Sequence, residues 1–570
     1  MNNITDYLKN YLPMLLGPVP GRKQLLSLGP LPVSKKISAA VHRSLTFEYA
    51  SKPINIFCSI WETELEFVYS DYDPALSQVT FFPDGDIHIF WIDWRIQQKK
   101  FNPQQAADWW QGRVDAIRKK SLKPILINNW PSNGNFLKKP TERDLDPKKW
   151  FEEFNRILSD KIFNITDVYL IDLNEIQTRI GNVFFDSRND ELSGYPFSDM
   201  ATIMISRQLG CHLLPSIFGQ RIKAIVLDLD NTLYSGILGE DGIDGLILTE
   251  AHKFFQAALL TLKKNGIMLA ICSKNILSDV KEMFSKRKDF PLRFEDFAAV
   301  SVNWDSKSKN ILEITAQLNI DTSAIIFIDD NPAEIVEVFS SIPSLKFLMA
   351  ATDASLTEEY LSNYPGLYHY KMDNLGEWRT KDVQANYSRN VLKIHAQSDV
   401  EYLISLKMSV RLFLNYRPHT DRLCEMSNKF NQFNLSLLKM NESESRRAMD
   451  NEHVTLTVGL SDVFADSGIV GAFVCMVNGT KAELTEVLFS CRVLGRDIES
   501  VVFGFFLEKL ECAGVETLDI IVNEGLKNAP ARSWLKQYID VSPHQLSVSV
   551  LIEKVKKIVK NHPATIEEVL

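Results

Sequence analysis

The 570-residue chain lacks several features that would place it in a class at once. It has no long basic run, and its formal net charge is −9, which argues against nucleic acid or an anionic membrane as its partner. No apolar stretch approaches the ~20 residues that a bilayer-spanning helix needs. The seven cysteines (58, 211, 272, 424, 475, 491 and 512) are scattered and form no CxxC pair. An odd, dispersed set reads as reduced thiols, not as a disulfide frame or a zinc site. Internal repeats and low-complexity segments are missing too. The opening MNNITDYLKNYLPMLLGPVPGRK has neither the basic start nor the apolar core of a secretion signal, so the expected location is cytoplasmic.

What is present is a globular composition, 45% hydrophobic and 24% charged, long enough for three or four domains. Residues ~30–215 alternate strand-like and helical patterns. INIFCSIW (54–61), IHIFWIDW (87–94), KPILINNW (123–130) and ITDVYLIDL (165–173) are the candidate strands. ADWWQGRVDAIRKK (107–120) and PKKWFEEFNRILSD (147–160) are helices between them, and PSNGNFLKKP (131–140) is a loop at a strand's C-terminal end. A second α/β unit over ~221–365 has strands AIVLDLD, GIMLAICS, FAAVSV and AIIFIDD, with HKFFQAALLTLKKN as a helix. A third, ~370–545, has longer strands, HVTLTVGLSDVF and GIVGAFVCMV. It then reads as strand, polar turn and long helix over 485–514, and LIEKVKKIVKNH (551–562) is a surface helix.

The chemistry concentrates in the second unit. AIVLDLDNTLYSGILGEDG places Asp228 and Asp230 two positions apart at the end of an apolar strand. Ser273 ends the next strand, VNWDSKSKNIL carries Lys307 and Lys309, and Asp329 and Asp330 end another strand. If these strands are parallel, all of the groups collect at one sheet edge. Clustered carboxylates repel unless a cation sits among them, and Mg²⁺ commonly combines one or two carboxylates with a substrate phosphate. One carboxylate can then attack phosphorus, a second can serve as acid and base, and lysine and serine can stabilise the transferring charge. Between Thr232 and Ser273, and between Ser273 and Lys307, there is no room for a lid domain, so large substrates are admitted.

DLDNTLYSGILGEDG, CSKN, NWDSKSKNI and FIDDNPAE, in that order, resemble the FkbH-like branch of the haloacid dehalogenase-like superfamily. The resemblance implies Asp228 as nucleophile, Asp230 as acid/base, Ser273 as phosphoryl-oxygen ligand and Lys307 as the charge-stabilising lysine. Lys307 is favoured over Lys309 because it stands three after Trp304, as in the family's WxxK pattern. Asp329 and Asp330 join Asp228 and the carbonyl of Asp230 around Mg²⁺. The family is associated with moving a glyceryl unit from 1,3-bisphosphoglycerate to the thiol arm of an acyl carrier protein, with loss of phosphate. The implied partners are that carrier and a phosphorylated small molecule. Alternatives are a stand-alone phosphatase acting on a sugar or lipid phosphate, and a non-catalytic scaffold for carrier proteins.

Acyl transfer to sulfur wants a cysteine or direct attack by the carrier's thiol. Cys272, beside Ser273, is one candidate, and nearby Mg²⁺ and Lys307 would favour its thiolate. However, strand alternation can turn it to the core. Cys491 is another. RVLGRD (492–497) resembles the pyrophosphate loop of GNAT-type acyltransferases, with Arg492, Gly495 and Arg496 as candidate contacts. Asp497 stands where that loop has Gly or Ala. A phosphopantetheine arm, with one phosphate, fits such a loop; a purely supporting domain is the other reading. SNKFNQFNLS (427–436) and SDVFADSGIVGAF (461–473) also resemble the FkbH-like C-terminal region. The N-terminal unit resembles an SGNH-hydrolase-like extension without the Gly-Asp-Ser block. Ser59, Asn128 and Asn129 lie near strand ends, and a docking role is expected. The expected architecture is α/β with three domains: a degenerate SGNH-like 1–220, a Rossmann-like capless haloacid dehalogenase domain over 221–365, and a GNAT-like α+β domain over 366–570.

Overall fold

A computed structural model describes residues 7–80, 84–132, 147–368, 370, 385, 388–389, 392–393, 396, 398–430, 432–450, 453–490, 493–525, 528–539, 543–560 and 562–569. The chain forms two compact units, Met1–Glu377 and Trp378–Leu570. Among the described residues no helix is long and apolar enough to cross a membrane.

The first unit holds two five-stranded parallel sheets. The N-terminal one is built from β1 (Lys35–Arg43), β2 (Thr63–Tyr72), β3 (Ile87–Trp91), β4 (Ile125–Asn128) and β5 (Val168–Ile171), in the order β2-β1-β3-β4-β5. Its core draws on residues between Ile37 and Leu214. INIFCSIW, expected as a strand, instead closes the helix Glu48–Cys58 and forms the turn Ser59–Trp61. Ile54, Ile56, Phe57 and Cys58 are all buried there, so burial around the helix erases the polar face that would have revealed its period. β1 and β2 come from KKISAAVHR and TELEFVYSDY, which carry no continuous apolar run.

The second sheet comprises β6 (Ala224–Leu227), β7 (Met268–Ser273), β8 (Phe297–Val302), β9 (Ile325–Asp329) and β10 (Lys346–Met349), ordered β10-β9-β6-β7-β8. From central β6 the chain runs outward through β7 and β8, then crosses back to β9. This order reversal opens a crevice beyond the C-terminal ends of β6 and β9, where open α/β sheets bind ligands.

The second unit is a mixed sheet made of β11 (Ser409–Leu414), β12 (Phe433–Asn434), β13 (His453–Ser461), β14 (Asp466–Asn478), β15 (Lys481–Phe489), β16 (Thr517–Ile520), β17 (Leu546–Ser547) and β18 (Thr565–Val569). The spatial order is β17-β16-β15-β14-β13-β11-β18, with β12 paired to β15. The hydrophobic helix Ile498–Cys512 covers one face, where Phe473 stacks on Phe503 and Phe506. The helix Thr420–Lys429 lies over Ala472, Val474 and Leu488 on the other.

Candidate active site

Each acidic side chain is set by the local end of a strand. Asp228 follows β6, and its N–H donates to the Ile328 carbonyl at 2.9 Å, tying it to β9. Leu229 is buried, and the chain then turns sharply through Asn231, whose φ of +52° is a left-handed conformation that asparagine tolerates. The Asn231 side chain accepts from the Gly236 N–H at 3.0 Å, closing the turn. Asp329 ends β9, and Asn331 caps the next helix, Pro332–Ser341. Lys307 opens the helix Lys307–Leu318, pinned by the Ser306 side chain as N-cap.

The crevice gathers these groups. Lys307 Nζ lies 3.1 Å from Asp228 Oδ2 and 2.5 Å from Asp329 Oδ2, and all three residues are buried. Asp228, Asp329 and Asp330 each offer one carboxylate oxygen within 4.8 Å of the others. Burial raises the pKa of Asp228 while Lys307 pulls it down; Asp329 is raised by burial and by Asp228, and Asp330 likewise. Burial alone would lower Lys307, but the two aspartates outweigh it and hold the ammonium protonated. One ammonium among three carboxylates leaves negative charge uncompensated. Asp228 Oδ1 is buried with no hydrogen-bond partner among the described residues. An oxygen-only donor set with an unmet buried oxygen fits a hard divalent ion such as Mg²⁺.

Asp230 is held differently. Its Oδ1 accepts from Tyr234 Oη at 2.8 Å and from the Leu238 N–H at 3.0 Å, and its Oδ2 accepts from Asn275 Nδ2 at 2.9 Å. Its carboxylate lies outside the three-aspartate set, while Ser273 Oγ accepts from Asn275 at 3.1 Å. Asn275 and Tyr234 sit inside CSKN and DLDNTLYSGILGEDG, where the sequence gives them no role of their own. Hydrogen-bonding residues embedded in a motif carry no signal of which neighbour they serve. The same holds for Thr232, whose buried hydroxyl has no hydrogen-bond partner among the described residues. Lys309 pairs with Asp305 at the surface, so the buried lysine of the site is Lys307. Trp304, three residues before it, is 72% exposed.

Cys272 is a correction to the thiolate expectation. It is fully buried, and burial pushes its thiol up to about 12, against the pull of Lys307. Its Sγ lies 3.8 Å from the Lys307 carbonyl. Alternation along β7 gives Ser273 to the site and Cys272 to the interior. Cys491, Arg492 and most of the 131–140 loop lie outside the described residues. In the second unit Gly495 has φ of +79° and precedes Arg496, whose buried guanidinium donates to Asp462 Oδ2 at 2.9 Å. Arg389 also binds Asp462, so that arginine is occupied by an internal ion pair. Ser59 sits in a turn, and its hydroxyl donates to the Ile56 carbonyl. Asn128 and Asn129 stand at the end of β4, each saturated by neighbouring backbone or Asp172.

Between Thr232 and Lys307 no lid domain is inserted. From Thr232 to Ser273 the chain forms a flap bridged at Ser235 and Ile247, short helical turns over Leu238–Gly245 and the helix Glu250–Lys264. From Ser273 to Lys307 it forms the helix Leu277–Lys286 and β8.

No family model matches the chain, and no curated protein matches it. Among solved structures it is similar to the N-terminal part of the protein BF1531 from Bacteroides fragilis, which contains a phosphatase domain and was crystallised with Mg. The TM-score is 0.50 and the identity 22%, over 62% of this chain and 99% of that one. At that identity the likeness establishes the fold. The ribosomal-protein-S18-alanine N-acetyltransferase from Escherichia coli matches with a TM-score of 0.19 and 10% identity over 24% of this chain and 87% of its own. A TM-score that low carries no weight.

Proposed function

We propose that the chain is a Mg²⁺-dependent phosphoryl-transfer enzyme working through an aspartyl-phosphate on Asp228. Its full reaction loads a glyceryl or related three-carbon unit from 1,3-bisphosphoglycerate onto an acyl carrier protein thiol, with loss of phosphate. The observation that carries the first half is Asp228 Oδ1, a buried carboxylate oxygen left without a partner beside two further carboxylates and a bridging lysine. The fold shared with a phosphatase domain that binds Mg agrees with it.

In this reading Asp228, Asp329 and Asp330 hold the ion, which supplies charge compensation at the transferring phosphoryl group. Asp228 attacks phosphorus through one of its carboxylate oxygens. Asp230, aimed by Tyr234 and Asn275, gives a proton to the leaving oxygen and later takes one from water. Ser273 and Lys307 hold the phosphoryl oxygens. For the loading half, the buried Cys272 favours direct attack by the carrier's own thiol, and the uncovered crevice suits a substrate delivered on a protein. A stand-alone phosphatase on a sugar or lipid phosphate is the second reading, favoured by the completeness of the acidic site within the first unit.

The test is incubation with 1,3-bisphosphoglycerate, Mg²⁺ and a panel of holo-carriers, followed by intact-protein mass spectrometry. A glyceryl adduct on a carrier supports loading, and phosphate release without an adduct supports the phosphatase. No phosphate release from any phosphorylated substrate sinks both and leaves a non-catalytic carrier-binding scaffold.

A further inference from the structure

One guanidinium in the first unit is buried without an acceptor. Arg207, at the end of the helix Asp199–Arg207, is 6% exposed, and its Nε and Nη2 have no hydrogen-bond partner among the described residues. Glu359 acts on it through charge alone, and the Phe57 ring, 5.6 Å from Cζ, is a weak substitute for a carboxylate. A buried charge without a counter-ion is costly, so packing alone would favour an apolar side chain here. Which two nitrogens are unmet also matters. Nε and Nη2 form the flank of the guanidinium that takes two oxygens of one oxyanion side-on.

The backbone widens directly after Arg207. Gln208–Leu213 is a π-helical turn with Arg207 as its N-cap, and i→i+5 bonding of that kind sets His212 over Arg207. Gly210 seats the turn against the helix Glu48–Cys58: a Cβ there would come within 2.5 Å of Phe57 Cβ, and its carbonyl accepts from Trp61 Nε1 at 2.8 Å. In the same turn His212 Nε2 and Gln208 Oε1 are also buried atoms without a partner among the described residues. Both residues are only half-buried, and the His212 ring stacks on the exposed Tyr368 at 5.4 Å, so the cluster lies next to solvent. Burial, with Arg179 and Arg207 adding to it, pushes the His212 imidazole down to about 4. The Ser362 backbone pulls back on the ring, and with Nε2 unpartnered the ring proton belongs on Nδ1, which leaves Nε2 an acceptor. Of the acids nearby, Glu175 pairs with Arg179, and Glu359 stops short of Arg207.

We propose that Arg207 and His212 form a second anion site, made of none of the crevice residues, whose ligand is a small oxyanion that keeps a proton: hydrogen phosphate or bicarbonate. The Arg207 fork donates to two of its oxygens, and its O–H donates to His212 Nε2. A plain carboxylate or a halide meets only half of these groups, because neither has a proton to give. The site stands where the last helix of the N-terminal sheet meets the helix Ala354–Ser362 beside the second sheet, so its ligand ties those two parts of the first unit together. Binding of the anion stands without the reaction proposed above.

The experiment is isothermal calorimetry on the full chain in EDTA, which withholds metal from the crevice. Sodium phosphate, bicarbonate, acetate and chloride are separate titrants at equal ionic strength, and the Tm is measured alongside. Wild type is expected to bind phosphate or bicarbonate at least tenfold more tightly than acetate or chloride, with a rise in Tm. Binding of phosphate alone names the tetrahedral ion and of bicarbonate alone the planar one; either supports the site. Arg207→Met is expected to bind at least tenfold more weakly, with a ligand-free Tm equal or higher. No binding of either ion by wild type overturns the proposal, as does equal binding of acetate or chloride, or a smaller loss in Arg207→Met. Should Arg207→Met fail to fold, Arg207→Lys keeps the charge without the fork and is read by the same tenfold criterion. A smaller loss there, or loss of fold in both variants, overturns the proposal by making Arg207 a packing residue.

Discussion

The two parallel sheets of the first unit have the same number of strands, yet their C-terminal edges differ in how fully their polar groups are satisfied. At the edge of the N-terminal sheet, Asn128 bonds the Ile92 N–H and carbonyl, and Asn129 bonds Leu173, Asn174 and Asp172. Asp93 and Asp190 share Arg95. At the edge of the second sheet Asp228 Oδ1 and Thr232 Oγ1 have no partner among the described residues, and one lysine pairs with two of the three clustered carboxylates. At the first edge these groups satisfy one another. The second is held short of completion, and a ligand can complete it.

The sharpest way to break the contrast is Asp228→Asn. It should lower Mg²⁺-dependent phosphate release by on the order of 10³-fold or more, because no other carboxylate can take the nucleophile's place. Its Tm should change little or rise, since a strained buried charge is removed. Unchanged phosphate release would place the chemistry elsewhere. Next, Lys307→Met leaves Asp228 and Asp329 buried without their counter-charge and should cost about 3–5 kcal/mol. Denaturant unfolding without metal would show it, and added Mg²⁺ should recover part of the loss.

Chelation comes third. If Mg²⁺ binds only the folded chain, saturation at about 100 times Kd adds about 2.7 kcal/mol, which EDTA should remove. The sign of the pH dependence follows from Asp329, raised from 3.8 to about 7. Its contribution is complete below pH 3.8 and is lost as pH rises through about 7, so the Tm in EDTA should fall from pH 6 to pH 8. With Mg²⁺ present that slope should flatten; equal slopes would argue against an ion among the carboxylates. The smallest effect belongs to the closed edge. Asn128→Ala strands the Ile92 N–H and carbonyl and should cost about 1–3 kcal/mol with no change in phosphate release per folded molecule. A catalytic defect there would erase the distinction between the two edges.

The second sheet was the legible one. Its strands are short apolar runs between turn residues, and its acids sit at their ends, so AIVLDLD, GIMLAICS, FAAVSV and AIIFIDD translate directly into β6, β7, β8 and β9. The N-terminal sheet hid half of its pattern. KKISAAVHR has small and charged residues in a strand, while INIFCSIW, buried in a helix, imitates one. Within the site, the acids announced themselves through spacing, whereas Asn275 and Tyr234 act through contacts made only on folding. The fate of Cys272 turned on which side of β7 it occupies, a matter of phase that its neighbours in sequence leave open. β18 is hidden because TIEEV carries two adjacent acids, Glu567 and Glu568, in a five-residue strand at a sheet edge, which reads as a solvated tail.

The bare indole of Trp304, three residues before Lys307, gives the protein an optical reporter. Trp91, Trp94, Trp110, Trp130 and Trp150 are sealed in the interior and shielded from iodide, so a quencher in solution samples this one ring far more than those five. A macromolecule that covers Trp304 would shade that indole, and its arrival could be timed by fluorescence without attaching a dye.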